Sequence, residues 1–479
     1  MNIYILLGSY NFTKFVLITC ENFYSKLPVI EDAIKKSAFI SLDMEFSKLY
    51  DNVSKPFSFF DTNEERYKKL RQQVSDITCI QLGIAIYAYD ANNKTFGVST
   101  YSFYTYPTTF YKSDSVVNFQ TSCIEFLSKF NFDFNKLFHS RVPYLTNEQE
   151  LKIRSDMLDE LFFEKYFETN LKFRNINSET LNSTINENLK LSLLNKMMGI
   201  KHLINLISKL KKPIIGHNCA LDILILYNQF FTPLPENFKD FQNFVFNNFG
   251  PIYDTKLLCK EVKRIVSTND KWMGSSLSEI YSYLKEGEGE KYSSTISIQL
   301  IGIEEPQDMK LHHAGWDAYY TGYCFVKMIH IIKSLSCKNE QRNLRYTLTE
   351  LFKSIEFSKN KLFTSRSISN ILDLETNEHN NQTNYLIIQN KGTFYKALDL
   401  KKLKYDLKQI CNFDIKLLSN YTALVAFPFM HSRLIYALKT NYNVENYTIY
   451  QKKKRNKQII GFSLVMLPGL RPTVPVRLQ

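Results

Sequence analysis

The sequence predicts a mixed α/β sheet followed by a smaller β-α-β-β-α-β domain. Strand-like segments come first, at 39–46, 77–87 and 99–106. Strand and helix then alternate from 199 to 334, the pattern of a mixed sheet covered by helices. Beyond a stretch without periodicity, a split-βαβ order begins at Tyr385, an order used by many RNA-binding sheets. At 479 residues the chain exceeds what one core usually organises, so two domains are expected.

Residues 22–38 read as a helix that feeds the strand Phe39–Phe46. A charged helix at 64–74 follows. The run from Ile77 to Tyr87 is rich in β-branched residues and reads as a strand. Asp90-Ala-Asn-Asn-Lys94 supplies a turn. Ser99–Tyr106 is the next strand, closed by Pro107. Helical pattern returns at 117–130 and, heavily charged, at 147–162. Residues 161–198, rich in Asn, Ser and Leu, read as a low-complexity insert. A helix at 199–210 leads to a strand at 212–216. A helix at 220–230, a strand at 251–255 and a helix at 277–284 come next. Glu286-Gly-Glu-Gly-Glu290 reads as a flexible acidic loop, and 314–334 as a long amphipathic helix. Residues 20–335 are therefore the first domain and 336–384 a linker. Residues 385–450 are the second domain, with strands at 385–389, 413–417, 423–427 and 447–450 and helices at 401–411 and 432–439. Residues 451–479 form a basic and apolar tail.

Lys and Arg total 60 against 47 Asp and Glu, a net charge of +13. Such an excess favours a polyanionic partner, although a merely basic soluble protein would show it too. The 8 cysteines include no C-x-x-C pair, which argues against a zinc site and for reduced thiols in an intracellular protein. Residues 1–19 lack the basic leader of a secretory signal. Ile459–Leu467 is apolar and follows the basic run Lys452–Lys457. It is far shorter than the roughly 20 residues a spanning helix needs, though it could touch an anionic membrane surface.

Chemistry concentrates in three clusters. Asp43 and Glu45, two apart on a strand, share one face, while Leu42, Met44 and Phe46 face a core. Two carboxylates side by side repel unless a cation lies between them; an edge strand with solvated acids is the alternative. Gly216-His217-Asn218 ends a strand, and Asp222 falls in the first turn of the next helix. The position suits either a site at a strand's C-terminal end or simple dipole stabilisation. His312-His313-Ala314-Gly315-Trp316-Asp317 opens the long helix. Together Asp43, Glu45, Asp222 and Asp317 can hold two Mg²⁺, with Mn²⁺ as the alternative, and His312 can take a proton from an attacking water. Those are the groups needed to hydrolyse a terminal phosphodiester. Asp254 is a candidate supporting acid, His217 and Asn218 are candidate loop-positioning residues, and Trp316 is a candidate for base stacking or packing.

The ordered set resembles the histidine-bearing branch of the DEDD exonuclease superfamily. In that likeness His312, and not His313, matches the catalytic position. Glu45-Phe46-Ser47, Pro213–Asn218, Pro233–Glu236, Asp254-Thr255-Lys256, Phe132–Lys136, Val142-Pro143-Tyr144 and His312–Tyr319 are similar to the poly(A)-specific ribonuclease (PARN) family. Tyr106–Phe110 and Asn147–Glu150 resemble its PARN-like-domain subgroup, which includes the Trimmer enzymes. The resemblance implies a ribonuclease H-like sheet with an RNA-recognition-like second domain. It implies a Mg²⁺-dependent 3′→5′ exoribonuclease acting on single-stranded RNA 3′ ends, either precursors of PIWI-interacting RNAs (piRNAs) or poly(A) tails. An RNA-binding adaptor without activity is the competing reading. A homodimer and PIWI or Tudor-type proteins are the implied protein partners. The implied location is the cytoplasm or the mitochondrial outer surface, with the nucleus left open. Two departures stand out. PARN's Arg-x-x-x-His module is missing or much reduced in the insert. The apolar tail is also shorter than a Trimmer-type membrane anchor, a departure from the membrane attachment that the resemblance implies.

Overall fold

A computed structural model of the chain describes residues 16–49, 57–107, 115–156, 187–266, 274–336, 346–365, 370–376, 385–390, 397–408, 413–427 and 447–451. The chain divides into two units, Met1–Gln382 and Thr383–Gln479. In the first, the sheet runs β1 (Val16–Ile18), β4 (Thr95–Pro107), β3 (Cys79–Asp90), β2 (Phe39–Phe46), β6 (Ile214–Gly216), β7 (Ile252–Asp254), β9 (Lys361–Phe363), β10 (Ile371–Asp373) in spatial order. Strands β5 (Val142–Tyr144) and β8 (Ser297–Leu300) lie along β4. β2, β3 and β4 are antiparallel, and β6 and β7 continue from β2 in parallel. This is the mixed sheet that the sequence leads one to expect.

Alternation along β2 assigns its two faces. Ile40, Leu42 and Met44 enter a core shared with helices α1 (Phe23–Lys36), α7 (Lys201–Leu210), α8 (Ala220–Phe230) and α9 (Phe238–Asn248). Phe39 enters the opposite core with α10 (Thr255–Ile265), α11 (Leu277–Lys285) and α12 (Ala314–Ser336). Ser41, Asp43 and Glu45 share the Phe39 face, so the acids look toward α12.

The start of α12 is held against the sheet by complementary polar contacts. Gln81 Oε1 accepts from the Ala314 N–H at 2.9 Å. Thr100 Oγ1 donates to the Gly315 carbonyl, Ser41 Oγ to that of Ala318 and the Tyr87 hydroxyl to that of Tyr319, each at 2.6 Å. Gly83 makes this approach possible. It pairs with Asp43, and a Cβ there would lie 1.8 Å from the Ala314 carbonyl oxygen. A register shift follows Glu45, where Ile80 is the extra residue on β3. Bulges of this kind re-aim neighbouring side chains.

Several elements differ from the sequence expectation. α12 is not amphipathic; sheet and helices surround it, and it is buried from Ala314 to Ile332. Its Lys327 is accommodated because Nζ donates to the Ser293 and Ile296 carbonyls at 2.9 and 3.2 Å. The segment 336–384 is not simply a linker: it supplies α13 (Leu348–Ser354) and strands β9 and β10 of the main sheet. Three-residue strands are too short to show a period, which hid them. The expected insert at 161–198 ends in helix α6 (Glu187–Met198), whose Leu194, Met197 and Met198 are buried, while 157–186 lie outside the described residues. α9 and α10 were not anticipated. Nor were β1 and β8, which are short and pair only with β4.

The second unit holds β11 (Tyr385–Asn390), α14 (Leu400–Lys408), β12 (Asp414–Ser419), β13 (Thr422–Ala426) and β14 (Tyr447–Gln451). The sheet order is β12-β13-β11-β14, with every pair antiparallel. Leu386, Ile388, Leu403, Leu407 and Val425 form its core. The expected helix at 432–439 and the tail from 452 onward lie outside the described residues.

Gly83→Ala tests the docking of α12. The added methyl has backbone, not a flexible side chain, in its way, so we expect destabilisation of about 1–3 kcal/mol or more and lost activity. Thermal melts check the first and RNA cleavage the second; an unchanged melting temperature would contradict the close approach.

Candidate active site

The site forms where β2 and β6 end. β6 stops at Gly216, so the next N–H of β2 on that side, at Met44, has no strand partner. The Asp222 carboxylate accepts it, together with the Asp222 N–H. Asp222 reaches this position because the preceding turn is clamped. Asn218 takes a left-handed conformation at φ 57°. Its N–H and that of Cys219 donate to Asp254 at 2.9 and 3.2 Å. Asp254 also accepts from Lys256 N and Phe363 N, both at 2.9 Å. A fully buried carboxylate with four such donors has a structural duty, and Asp254 is the tie between β6, β7 and β9. His217 Nδ1 lies 2.8 Å from Thr255 Oγ1, and burial pushes its pKa down to about 3, so it is a neutral part of the same clamp.

Asp317 comes from the first turn of α12. Its Oδ2 accepts from the His313 N–H at 3.1 Å. Its Oδ1 is buried and meets no hydrogen-bond donor among the described residues. Trp316 is buried against Tyr319 and Tyr320, with rings 5.9 and 6.1 Å apart; it packs rather than presenting a stacking face.

Glu45, His312 and Asp317 each bring one ligand atom to within 4.8 Å of the others. Asp43 and Asp222 stand outside that tight trio but act on it through their charge. Burial raises the pKa of Asp43, and the charges of Asp317, Asp222 and Glu45 raise it further. Glu45 is raised by burial and by Asp317 and Asp222. Burial pushes both Asp222 and Asp317 up to about 7, against the backbone N–H groups that favour their charged forms. His312 has a left-handed φ of 58°, and its partial burial lowers its pKa, which favours the neutral imidazole. His313 falls to about 4 through deeper burial and is not part of the trio.

Among the described residues no cationic side chain offsets these buried acids, and such a cluster is electrostatically unfavourable by itself. The donor set of hard carboxylate oxygens and one imidazole suits a divalent ion such as Mg²⁺ or Mn²⁺, and the unbonded Asp317 Oδ1 offers it a ready lone pair. Sequence reasoning missed Gln81 and Gly83 as supports of the site. Their only signal was a position across from Glu45 and Asp43, which needs the strand register.

Buried acids from β2, α8 and α12 thus gather beside a neutral histidine in a cluster whose donors suit a divalent ion. The profile of the CAF1 family ribonucleases matches residues 18–325, and the chain belongs to that family. The Bombyx mori pre-piRNA 3′-exonuclease trimmer is 27% identical, across 95% of this chain and 97% of that protein. The Danio rerio poly(A)-specific ribonuclease PARN is 28% identical across 73% of this chain and 64% of that protein. Human PARN is 26% identical across 92% and 81%. A structure of S. pombe Pop2p in its Mg²⁺- and Mn²⁺-bound form aligns with 66% of this chain and 92% of its own, at 17% identity and a TM-score of 0.39.

The raised acids set a pH signature for the metal-free protein. Burial moves proton binding by Asp222 and Asp317 up to about pH 7 in the folded state, against the ordinary aspartate value of 3.8 when unfolded. Between those limits the folded state holds more protons, so stability falls as pH rises from about 4 to about 7. In chelator, the melting temperature should be lower at pH 8 than at pH 5.5, and Mg²⁺ should recover it at pH 8. Asp222→Asn should flatten the slope; an unchanged slope would remove the acid cluster as its source.

Proposed function

We propose that this chain is a 3′→5′ exoribonuclease that trims the 3′ ends of single-stranded precursor piRNAs and releases 5′ mononucleotides. The observation that carries the proposal is the meeting of Glu45, His312 and Asp317 within the field of Asp43 and Asp222. The choice of RNA rests on the trimmer relative, whose likeness runs through 95% of this chain. Poly(A) tail shortening is the second reading, favoured by the PARN relatives.

The chain's own groups divide the work. Asp43, Glu45, Asp222 and Asp317 would hold two Mg²⁺ ions, which when bound activate a water and stabilise the leaving 3′ oxygen. The neutral imidazole of His312 takes the proton of the attacking water, a role its lowered pKa permits at neutral pH. The Asp254 clamp keeps Asp222 at the end of β6, and the docking of α12 keeps Asp317 opposite β2. The positive net charge of +13 draws a polyanion toward the molecule.

PIWI or Tudor-type partners, a homodimer, and a cytoplasmic or mitochondrial-surface location are parts of the same proposal. Among the described residues no helix is long and apolar enough to cross a membrane.

Asp43→Asn should lower kcat by about 10³-fold, the several kcal/mol that metal-borne charge stabilisation supplies, while RNA binding persists. Retained cleavage would remove the metal assignment. A 3′-phosphate should block degradation that a 3′-hydroxyl permits; equal loss of both would contradict an exonuclease. Sequencing small-RNA and mRNA 3′ ends after loss of the protein decides the substrate: lengthened piRNAs support trimming, lengthened poly(A) supports the second reading.

A further inference from the structure

His312 bears the proton-transfer duty, yet among the described residues neither of its ring nitrogens makes a hydrogen bond. A catalytic imidazole is ordinarily aimed by a carboxylate or carbonyl at its second nitrogen. Two phenylalanines contact the ring instead. Phe126 meets it edge-on with centroids 4.6 Å apart, and Phe130 meets it at 4.2 Å and 57°. The two rings are 5.0 Å from each other.

Phe126 lies on α3 (Thr121–Lys129), and Phe130 caps its C-terminal end; this helix lies outside the group of elements that supply the acids. It is tied to the end of β2: Gln120 N donates to Ser47 O at 3.0 Å, and Gln120 Oε1 accepts from Leu49 N at 3.1 Å. Cys123 and Leu127 turn its other face into the protein. Phe126 and Phe130, four apart, therefore project together on one side. Each remains 40% exposed, so core burial does not account for two large apolar side chains here. Their contacts with His312 do.

We propose that Phe126 and Phe130 are positioning residues that clamp the His312 imidazole toward Glu45 and Asp317. The clamp rests on the reading of His312 as proton acceptor given above. His312 is itself left-handed and stands two residues before the start of α12. Contacts with two rings, one edge-on and one tilted, restrict the rotation of the imidazole without occupying its nitrogens with a hydrogen bond. Aromatic packing here does the aiming that a hydrogen bond does elsewhere.

The test is a mutant cycle on a 3′-hydroxyl single-stranded RNA in Mg²⁺. Phe126→Leu with Phe130→Leu should lower kcat roughly ten- to a hundredfold, the usual cost of losing an orienting partner, with KM nearly unchanged. In a His312→Ala background the same pair should cost nothing further. Phe126→Tyr with Phe130→Tyr should keep the rate. A loss of equal size in both backgrounds, or a rise in KM in both, would overturn the clamp; the latter would mean the rings stack on an RNA base. Proton–carbon spectra of the metal-free protein give an independent reading. The His312 signal, identified by its absence in His312→Ala, should be shifted by the ring currents and relax toward an ordinary position in the double Leu variant. An unshifted wild-type signal would also overturn the proposal. Failure of the wild-type chain to cleave RNA at all would refute the exonuclease reading, while the spectra would still judge the clamp.

Discussion

The close contact between the start of α12 and the face of β3 is the constraint on which the site depends. It needs a residue without a side chain at Gly83, and it is fixed by the hydroxyls of Ser41, Thr100 and Tyr87 and the amide of Gln81. Each of these groups bonds to the backbone of α12. The helix is thereby placed by its main chain, and Asp317 follows at a set height above Asp43 and Glu45. The sheet in turn is rigid there because β2 is central, with β3 on one side and β6 on the other.

The acids introduce a counterforce. Burial raises the pKa values of Asp43, Glu45, Asp222 and Asp317, and repulsion from the neighbouring acids adds to the rise at Asp43 and Glu45. A fold that gathers such groups must hold them with contacts elsewhere. Asp254, with its backbone donors, and the hydroxyl contacts beneath α12 are those contacts. Cations between the acids would reverse the sign of the interaction, so the geometry that strains the metal-free protein suits the ions proposed for it.

Much of this was legible in the sequence, for physical reasons that differ by element. Asp43 and Glu45 could be placed because a strand's period of two is strict. Asp222 and Asp317 could be placed because helix starts carry recognisable turns before them. The choice of His312 over His313 came from family resemblance, and the geometry sets His312 beside Glu45 and Asp317. β9 and β10 were illegible because three residues carry no period. The all-round burial of α12 was illegible because its polar residues, Lys327 among them, read as a solvated face until their carbonyl partners are seen. Phe126 and Phe130 looked like ordinary helix residues, since the residue they touch lies far along the chain.

The burial of α12 on every side joins two properties that many enzymes keep apart. The helix is at once the spine of a hydrophobic core and the mount of Asp317. Loosening that core anywhere along its length tilts the mount, so drift in remote apolar positions is felt as altered chemistry before it is felt as lost structure. Selection for turnover in this chain therefore doubles as selection for interior packing.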